Sequence, residues 1–266
     1  MFPVKAKKNF GQHFLKDENI ANRVAETLND FPTLPVLEVG AGTGMLTKFI
    51  LKRGADLKVV EIDIESVSYL KEHFPELEGK IIQTDFLKMN LGDYYNTEFC
   101  IIGNFPYNIS SQIFFKVLDN KESVPFCSGM IQKEVAERMI ASPGSKTYGI
   151  LSVLLQVWYD IEYLFTVNEQ AFIPPPKVKS AVVKLTRNKR VKLNCNEKLF
   201  KTVVKTSFNQ RRKMLRNSIK SLLSEESSLP DDPLLTKRPE QLSIEQFELL
   251  TNLLEPLTKR TNNEER

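Results

Sequence analysis

The chain has 266 residues, of which 41% are hydrophobic and 26% are charged, and its formal net charge is +4. This length is enough for one large domain and one small domain. No apolar run approaches the roughly 18 residues of a membrane helix, and the basic residues 1–12 lack the apolar core of a signal peptide. We therefore expect a cytoplasmic protein that does not enter a membrane.

Cysteine and histidine are scarce and scattered. The three cysteines are Cys100, Cys127 and Cys195, and the two histidines are His13 and His73. An odd number of widely separated cysteines indicates neither a disulfide framework nor a metal site. We expect no bound metal.

Between residues 17 and 141, short apolar runs alternate with helical patterns. Asp17 is a candidate N-cap for a helix whose apolar face carries Ile20, Val24 and Leu28. Strands are predicted at 35–39, 57–60, 80–83, 99–103 and 125–131. Helices are predicted at 45–53, 64–74, 110–118 and 133–141. This alternation is typical of right-handed βαβ units, so we expect a parallel sheet covered by helices on both faces.

The pattern changes in the C-terminal part of the chain. Further predicted elements are a helix and a strand within 150–167, a stiff extended stretch at 172–176, a last strand at 180–186, and helices at 199–207, 212–223 and 244–254. We therefore divide the chain into an α/β domain at 1–188, which begins with a basic arm, and a small all-helical domain at 189–258. The tail, 259–266, is too polar to fold alone.

Positive charge is concentrated between residues 177 and 220. This stretch contains 15 Lys and Arg residues but only one acid, Glu197. A solvated basic face is the usual explanation for scattered charge, but so one-sided a stretch favours a phosphate backbone as partner. We therefore expect a nucleic acid to bind here.

A glycine loop and two acids indicate a nucleoside cofactor. The loop, residues 40–44, follows the first predicted strand of the sheet, and Glu61 lies 21 residues after Gly40, a spacing typical of an acid that binds a ribose diol. A dinucleotide-binding domain shares these features, but its fingerprint requires a glycine one position later, where this chain has Met45. Glu38 would also repel a pyrophosphate. S-adenosylmethionine (SAM), with a positive sulfonium, therefore fits better than NAD.

The strand register assigns a role to each of these residues. Gly40 and Gly42 are expected to face the methionine end of SAM, and Glu61 to accept from the ribose hydroxyls. Asp85, which follows the third strand of the sheet, is expected to accept from the adenine amine of the cofactor, with the backbone of Phe86 alongside.

The turn after the fourth strand of the sheet, Asn104-Phe105-Pro106-Tyr107, is the candidate catalytic segment. Asn104 has an amide oxygen and an NH₂ group, and Pro106 stiffens the turn so that the Phe105 carbonyl is held in place. We expect these two oxygens to accept from the exocyclic amine of a substrate base beside the methyl group, while Tyr107 stacks on the ring. The simpler alternative is a capped Pro-Tyr turn.

Several motifs together resemble the KsgA-type ribosomal RNA adenine dimethyltransferases, which are relatives of the erythromycin-resistance (Erm) methyltransferases. The matching stretches are FGQHFL at 10–15, EVGAGTG at 38–44, VEID at 60–63, TDFL at 84–87, GNFPYNIS at 103–110, PGSKTYGILSVLLQ at 143–156, FIPPPKVKSAVV at 172–183 and FNQRRKMLRNS at 208–218. The PGSKTYGILS and RRKMLRNS stretches favour KsgA over Erm.

The resemblance implies a Rossmann-like SAM-dependent methyltransferase fold with a small helical C-terminal domain. It also implies the reaction, which is dimethylation of the N6 amines of two adjacent adenines near the 3′ end of small-subunit rRNA. The partner is expected to be an assembling 30S particle and the enzyme a monomer.

The family's functional residues match individual positions of this chain. Cofactor contacts carry over to His13, Leu15, Gly40, Glu61, Asp85 and Asn104. Ile62, which follows Glu61, is a further candidate for the cofactor. His13 is a departure, because the family often has Asn there, and Phe105 replaces a common Leu. Phe172 matches an aromatic residue expected to stack on the target base opposite Tyr107, although a core position is the alternative for this ring.

The candidates for RNA phosphate contacts are basic residues near both ends of the chain. They are Lys5, Lys7, Lys8, Arg211, Arg212, Lys213 and Arg216. At helical spacing, Arg212 and Arg216 would share one face. Three other functions stay open: an Erm-type enzyme acting on large-subunit rRNA, a non-catalytic RNA-binding assembly or transcription factor with the same fold, and a dehydrogenase.

Overall fold

The computed structural model describes residues 4–258, and within them the chain forms nine strands and nine α-helices. The strands are β1 (Phe14–Leu15), β2 (Val36–Val39), β3 (Leu57–Glu61), β4 (Ile81–Gln83), β5 (Cys100–Asn104), β6 (Phe126–Gln132), β7 (Tyr159–Val167), β8 (Phe172–Ile173) and β9 (Ser180–Arg187). The helices are α1 (Glu18–Glu26), α2 (Met45–Leu51), α3 (Ile64–His73), α4 (Ser110–Asp119), α5 (Lys133–Met139), α6 (Ile150–Gln156), α7 (Glu197–Asn209), α8 (Leu215–Ser218) and α9 (Ile244–Leu254).

Seven strands form one sheet in the order β4-β3-β2-β5-β6-β9-β7. The first five run parallel, as the βαβ pattern predicts. All residues of β2 and the first four of β5 are buried, because a parallel sheet covered on both faces offers no solvent-facing side. The carboxyl ends of β2, β3 and β5 therefore lie side by side, which brings the segments that follow them together.

The last two strands of the sheet are added antiparallel, and the sequence pattern made no prediction of their direction. β9 runs antiparallel to both β6 and β7. A parallel neighbour requires a long crossover, usually a helix on the sheet face. The chain between β7 and β9 contains only a short 3₁₀ helix and β8, so it reverses direction instead.

β8 has a separate role, because it pairs antiparallel with β1 in a small second sheet. This pairing ties the stiff extended stretch at 172–176 to the FGQHFL segment. Asp17 caps α1 as predicted, since its carboxylate accepts from the backbone N–H of Ile20 at 3.1 Å. The buried face of α1, which includes Ala21, Val24 and Ala25, belongs to the core beneath the sheet.

The described chain divides into two compact units. The first comprises residues 4–137 and 159–188, and the second comprises 138–158 and 189–258. The predicted division differs in one respect, because it assigned 138–158 to the α/β domain. That segment packs instead with the C-terminal helices: Tyr148 is 1% exposed, and its hydroxyl donates to the Leu242 carbonyl at 3.0 Å. The predicted tail, 259–266, lies outside the described residues.

The second unit is helical, but its middle differs from the prediction. α7 and α9 form as expected, and their buried residues include Phe200 and Phe247. The predicted helix at 212–223 is replaced by the single turn α8 and a 3₁₀ turn. Arg212 therefore lies in the turn after α7, and it does not share a helical face with Arg216.

Candidate active site

A cavity opens at the carboxyl ends of β2, β3 and β5. Its empty volume, which includes space open to solvent, is about 650 Å³. Residues 10–15 form one wall, and the glycine loop with Glu38 and Glu61 forms another. The segment 104–107 completes the lining. The structure thus brings together most of the residues that the sequence predicted for cofactor and substrate.

The glycine loop is shaped by close contact with the N-terminal wall. Gly42 has a φ of +56°, a region that side chains disfavour, and a Cβ there would lie 2.8 Å from the Phe14 ring. Only glycine allows this approach at low cost. The Phe14 ring therefore lies directly on the loop, which makes residues 10–15 part of the cavity.

Glu61 is buried and heavily hydrogen-bonded. One carboxylate oxygen accepts from the Gly42 N–H at 2.9 Å, and the other accepts from the N–H groups of Ile62 and Asp63 at 2.8 and 2.9 Å. Burial raises the pKa of Glu61, while these N–H groups act in the opposite direction. The carboxylate thus connects the end of β3 to the glycine loop.

Glu38 is a second buried acid in the lining, which the sequence-based set of site residues did not include. Its Oε2 accepts from the Thr47 hydroxyl at 2.6 Å. Burial raises the pKa of Glu38 to about 8, and the nearby Glu61 carboxylate adds to that increase. The available signal was its position near the end of β2, two residues before the glycine loop. Gln12 was missed in the same way, although it belongs to the FGQHFL segment.

The side-chain amide of Asn104 is held by the N-terminal wall. Its Nδ2 donates to the His13 carbonyl at 2.8 Å. Because a carbonyl only accepts, this bond must use the amide nitrogen, which leaves Oδ1 as the acceptor of the group. Asn104 is therefore oriented by a residue 91 positions away.

His13 is positioned by its ring as well as its backbone. Its Nδ1 lies 2.8 Å from the Pro174 carbonyl and must donate there, since the carbonyl can only accept. The ring centroids of His13 and Tyr107 are 5.2 Å apart, with the planes tilted by 34°. The hydroxyls of Tyr107 and Ser180 share a hydrogen bond, and burial raises the pKa of Tyr107.

Phe105 anchors the turn after β5 through both its backbone and its ring. Its N–H donates to the Met130 carbonyl at 3.0 Å, and its ring is 1% exposed. The ring lies over Gly103 and Gly129, which are paired across β5 and β6. A Cβ on Gly129 would lie 2.3 Å from the Gly103 carbonyl oxygen and 2.7 Å from the Phe105 ring. The two glycines thus create the space that this ring occupies.

Three predicted site residues do not line the cavity. Asp85 caps the 3₁₀ turn after β4, since its carboxylate accepts from the Leu87 N–H at 2.9 Å, and Phe86 is buried beside it. Phe172 is 1% exposed and belongs to the core. Its ring is therefore not available to stack on a base in this structure, because the β1–β8 pairing turns it into the protein interior. Phe172 therefore occupies a core position, which was the alternative to base stacking for this ring.

The candidate RNA contacts differ in their surroundings. Lys5, Lys8, Arg212 and Lys213 are exposed, whereas Arg216 is half-buried. Lys7 forms ion pairs with Asp63 and Glu65 at 2.5 and 3.0 Å. In the second unit, Arg211 donates to the Ser145 carbonyl at 3.1 Å and lies 3.9 Å from the Glu240 carboxylate.

Two further features are absent from residues 4–258, a membrane-spanning helix and a metal-binding cluster. None of the helices there is long and apolar enough to cross a bilayer. The same residues contain no group of three or more His, Cys, Asp or Glu side chains arranged to hold a metal ion.

Comparison with known proteins identifies relatives over nearly the whole chain. The family model for ribosomal RNA adenine dimethylase matches residues 4–255. A ribosomal RNA small subunit methyltransferase A from Parabacteroides distasonis is 66% identical over 93% of this chain and 93% of its own length. A protein of the same name from Bacteroides thetaiotaomicron is 62% identical over 96% of both chains.

Solved structures show the same fold at lower identity. A dimethyladenosine transferase from Plasmodium falciparum superposes with a TM-score of 0.75 at 24% identity, covering 92% of this chain and 99% of that one. The 23S rRNA methyltransferase ErmE gives a TM-score of 0.64 at 24% identity over 90% and 99% of the two chains. With a family model matched from residue 4 to residue 255 and relatives above 60% identity, the chain belongs to the ribosomal RNA adenine dimethylase family.

Proposed function

We propose that this protein transfers methyl groups from SAM to the N6 amines of two adjacent adenines near the 3′ end of small-subunit rRNA, and that it dimethylates each of them. The observation that carries the proposal is the orientation of Asn104, whose Oδ1 is left as an acceptor in a cavity lined by two buried acids. Family membership and the names of the closely similar relatives support the choice of rRNA.

The composition of the cavity fits SAM better than a dinucleotide. None of the residues that line it, all within the described part of the chain, is Lys or Arg. A pyrophosphate would therefore find no Lys or Arg among the lining side chains, whereas the side-chain oxygens of Glu38 and Glu61 can accept from an ammonium group and from ribose hydroxyls. We assign Glu61, Ile62, Gly40 and Gly42 to the cofactor, with His13 and Leu15 on the opposite wall.

When bound, SAM supplies an electrophilic methyl group attached to a positive sulfur. Asn104 Oδ1 and the Phe105 carbonyl accept from the two N–H groups of the adenine amine, which reduces the delocalisation of its lone pair into the ring. With the amine held in this way, its lone pair would be available to accept the methyl group that SAM would supply, the sulfonium would become a neutral thioether, and the amine would release one proton to solvent. No strong base is required, so positioning of the amine supplies most of the rate acceleration.

The target base must leave its RNA surroundings to enter the cavity. Tyr107 is our candidate for stacking on it, because the ring lines the cavity and is held by Ser180 and His13. Stacking of a base on an aromatic ring contributes about 1–3 kcal/mol. Phe172 is not proposed for the opposite face, since it is part of the core.

The experiment that tests the proposal supplies the protein with labelled SAM and with small-subunit particles, large-subunit particles or neither. We expect label only with small-subunit particles, on two adjacent adenines near the 3′ end when the modified bases are mapped. Label on large-subunit rRNA would indicate an Erm-type enzyme. SAM binding in calorimetry without any transfer would indicate an assembly factor, and NAD binding in place of SAM a dehydrogenase.

A further inference from the structure

The N-terminal arm, which we define as residues 4–15, is attached to the end of β3 by an ion pair. Lys7 Nζ lies 2.5 Å from Asp63 Oδ1 and 3.0 Å from Glu65 Oε1. The two acids differ greatly in exposure, because the Asp63 side chain is 1% exposed and that of Glu65 is 55% exposed. The contact with Asp63 is therefore the one that solvent screens least.

Gln12 adds a second attachment to the same carboxylate. Its Nε2 donates to Asp63 Oδ2 at 3.3 Å, while its Oε1 accepts from the backbone N–H of Lys7 at 2.9 Å. Asp63 therefore holds both Lys7 and Gln12, and these two residues are also bonded to each other. The three groups form a closed set of hydrogen bonds at the base of the arm.

This anchor is connected to both sides of the cavity. The Asp63 N–H donates to Glu61 Oε1 at 2.9 Å, so the anchor adjoins the proposed ribose-binding acid. From Gln12 the arm continues along the cavity wall to His13, whose carbonyl accepts from Asn104. A displacement of the arm would therefore remove one wall of the cavity and the partner that orients Asn104.

The energetics favour a structural role for Lys7 over the phosphate contact expected from the sequence. The Lys7 side chain is 31% exposed, so the pair is partly buried. Loss of Lys7 would leave the buried Asp63 carboxylate without its cation, with only Gln12 and Ser66 as side-chain donors among the described residues, and this is unfavourable. Burial would raise the pKa of Asp63, but hydrogen bonds from Lys7 and Gln12 outweigh it and keep that pKa below its ordinary value. Asp63 is therefore charged at neutral pH, and Lys7 is the cation that pairs with it.

We propose that Lys7 is a positioning residue: through Asp63 it holds the N-terminal arm as a wall of the cofactor cavity and so keeps Asn104 oriented. This inference rests on the proposed function, in which that cavity binds SAM. Lys5 and Lys8 are exposed neighbours on the same arm, so they are matched controls for a general loss of positive charge.

The test measures SAM affinity by calorimetry in the absence of RNA, together with kcat on small-subunit particles. For Lys7→Met we expect SAM Kd to rise about tenfold, equivalent to about 1.4 kcal/mol, and kcat to fall. Lys5→Met and Lys8→Met should leave SAM Kd within about twofold of the wild-type value, because their side chains are exposed. Lys7→Arg should restore affinity, since an arginine can donate to both Asp63 and Glu65.

A double-mutant cycle identifies the partner. If Lys7 acts through Asp63, adding Lys7→Met to Asp63→Asn should weaken SAM binding by much less than Lys7→Met alone. Independent, additive losses would contradict the proposal. So would a Lys7→Met protein that binds SAM normally and loses only RNA affinity, because Lys7 would then be a phosphate contact. A wild-type protein that does not bind SAM would refute the proposed function itself, which separates the two failures.

Discussion

At the scale of single residues, the amide of Asn104 carries the chemistry that we propose. Its nitrogen is engaged by the His13 carbonyl, so the direction of the oxygen is decided before any substrate enters. Such preorganisation costs no reorganisation at the moment of reaction, which is why fixed polar groups are effective in catalysis. The identity of His13 matters less for this contact than its backbone, since a carbonyl is common to every residue.

We predict that Asn104→Ala lowers kcat by about 10²- to 10³-fold, because removal of one preorganised polar group from an active site has effects of this size. SAM Kd should change little, since most of the proposed cofactor contacts remain. Methyl transfer to small-subunit particles gives kcat, and calorimetry gives Kd. Asn90→Ala, an exposed asparagine outside the cavity lining, serves as the control. A near-wild-type rate for Asn104→Ala would exclude the mechanism.

Glu38 makes stability depend on pH. Its pKa is raised from 4.5 to about 8 in the folded protein. Between these values the unfolded chain has released the proton that the folded protein still holds, so the free energy of unfolding falls as pH rises. Below pH 4.5 both states are protonated and the full contribution is present.

In thermal melts without ligand, we expect the Tm of the wild-type protein to decrease between pH 5 and pH 8. This decrease should be larger than that of the Glu38→Gln variant. The dependence of Tm on pH should be weaker in Glu38→Gln but should not vanish, because burial also raises the pKa of Glu61. Identical pH profiles for the two proteins would mean that Glu38 titrates normally. Glu38 is suited to this comparison because glutamine can still accept from the Thr47 hydroxyl.

At the scale of elements, two neighbouring strands create the space for one ring. Gly103 on β5 and Gly129 on β6 face each other in register, and the Phe105 ring lies across both. The ring also meets Phe114 of α4 in an edge-to-face arrangement, with centroids 5.7 Å apart. Strand, turn and helix thus fix the Phe105 backbone, whose carbonyl we propose as an acceptor.

We predict that Gly129→Ala destabilises the protein by about 1–3 kcal/mol, the usual range for overpacking a close-packed interior. The added methyl would meet both a backbone oxygen and the Phe105 ring, so kcat should fall as well. Denaturant unfolding and methyl-transfer assays measure the two effects. Gly92→Ala is the matched control, because its Cβ would come no closer than 3.7 Å to a neighbour. Equal stability of the two variants would contradict the close packing of the Phe105 ring against Gly129.

At the scale of the whole molecule, the basic stretch at 177–220 spans several elements and is not confined to one of them. The basic stretch begins in the first unit, near β9, and continues into the helical second unit. We propose the second unit as an RNA-binding part of the enzyme and the first as its catalytic part. Contacts to phosphates position RNA without reading its sequence, so this charge should contribute affinity and not choice of adenine.

We predict that the double variant Arg212→Gln and Lys213→Gln binds RNA more weakly than the wild type. The slope of log K against log salt concentration should become less steep by about 1–2, because each lost phosphate contact reduces it by about 1. Both side chains are exposed in the turn after α7. Filter binding across a salt series measures the slope, and SAM Kd should be unchanged. The double variant Lys52→Gln and Lys71→Gln, on exposed parts of the first unit, is the control. Equal slopes for the two double variants would place the RNA elsewhere.

Local patterns in the sequence determined most of the elements and the class of the cavity. The apolar runs of β2, β3 and β5, the cap at Asp17 and the glycine loop depend on residues that are close in the chain. Parallel strands with aligned carboxyl ends then bring Glu61 and Asn104 to one edge of the sheet, which is why the sequence alone predicted a nucleoside site there. The strand at β9 was predicted without a direction, because direction depends on the connection and not on the composition of a strand.

Only the tertiary structure decided which side chains meet across long separations. Lys7 has Asp63 as its partner, 56 positions away, and Asn104 is oriented by His13 across 91 positions. No local period encodes such pairs, because they depend on how the arm returns along the sheet edge. The same applies to Phe172, which its motif assigned to the substrate but which the β1–β8 pairing buries in the core. Sequence therefore indicated the chemistry of this site, whereas packing determined which residues take part in it.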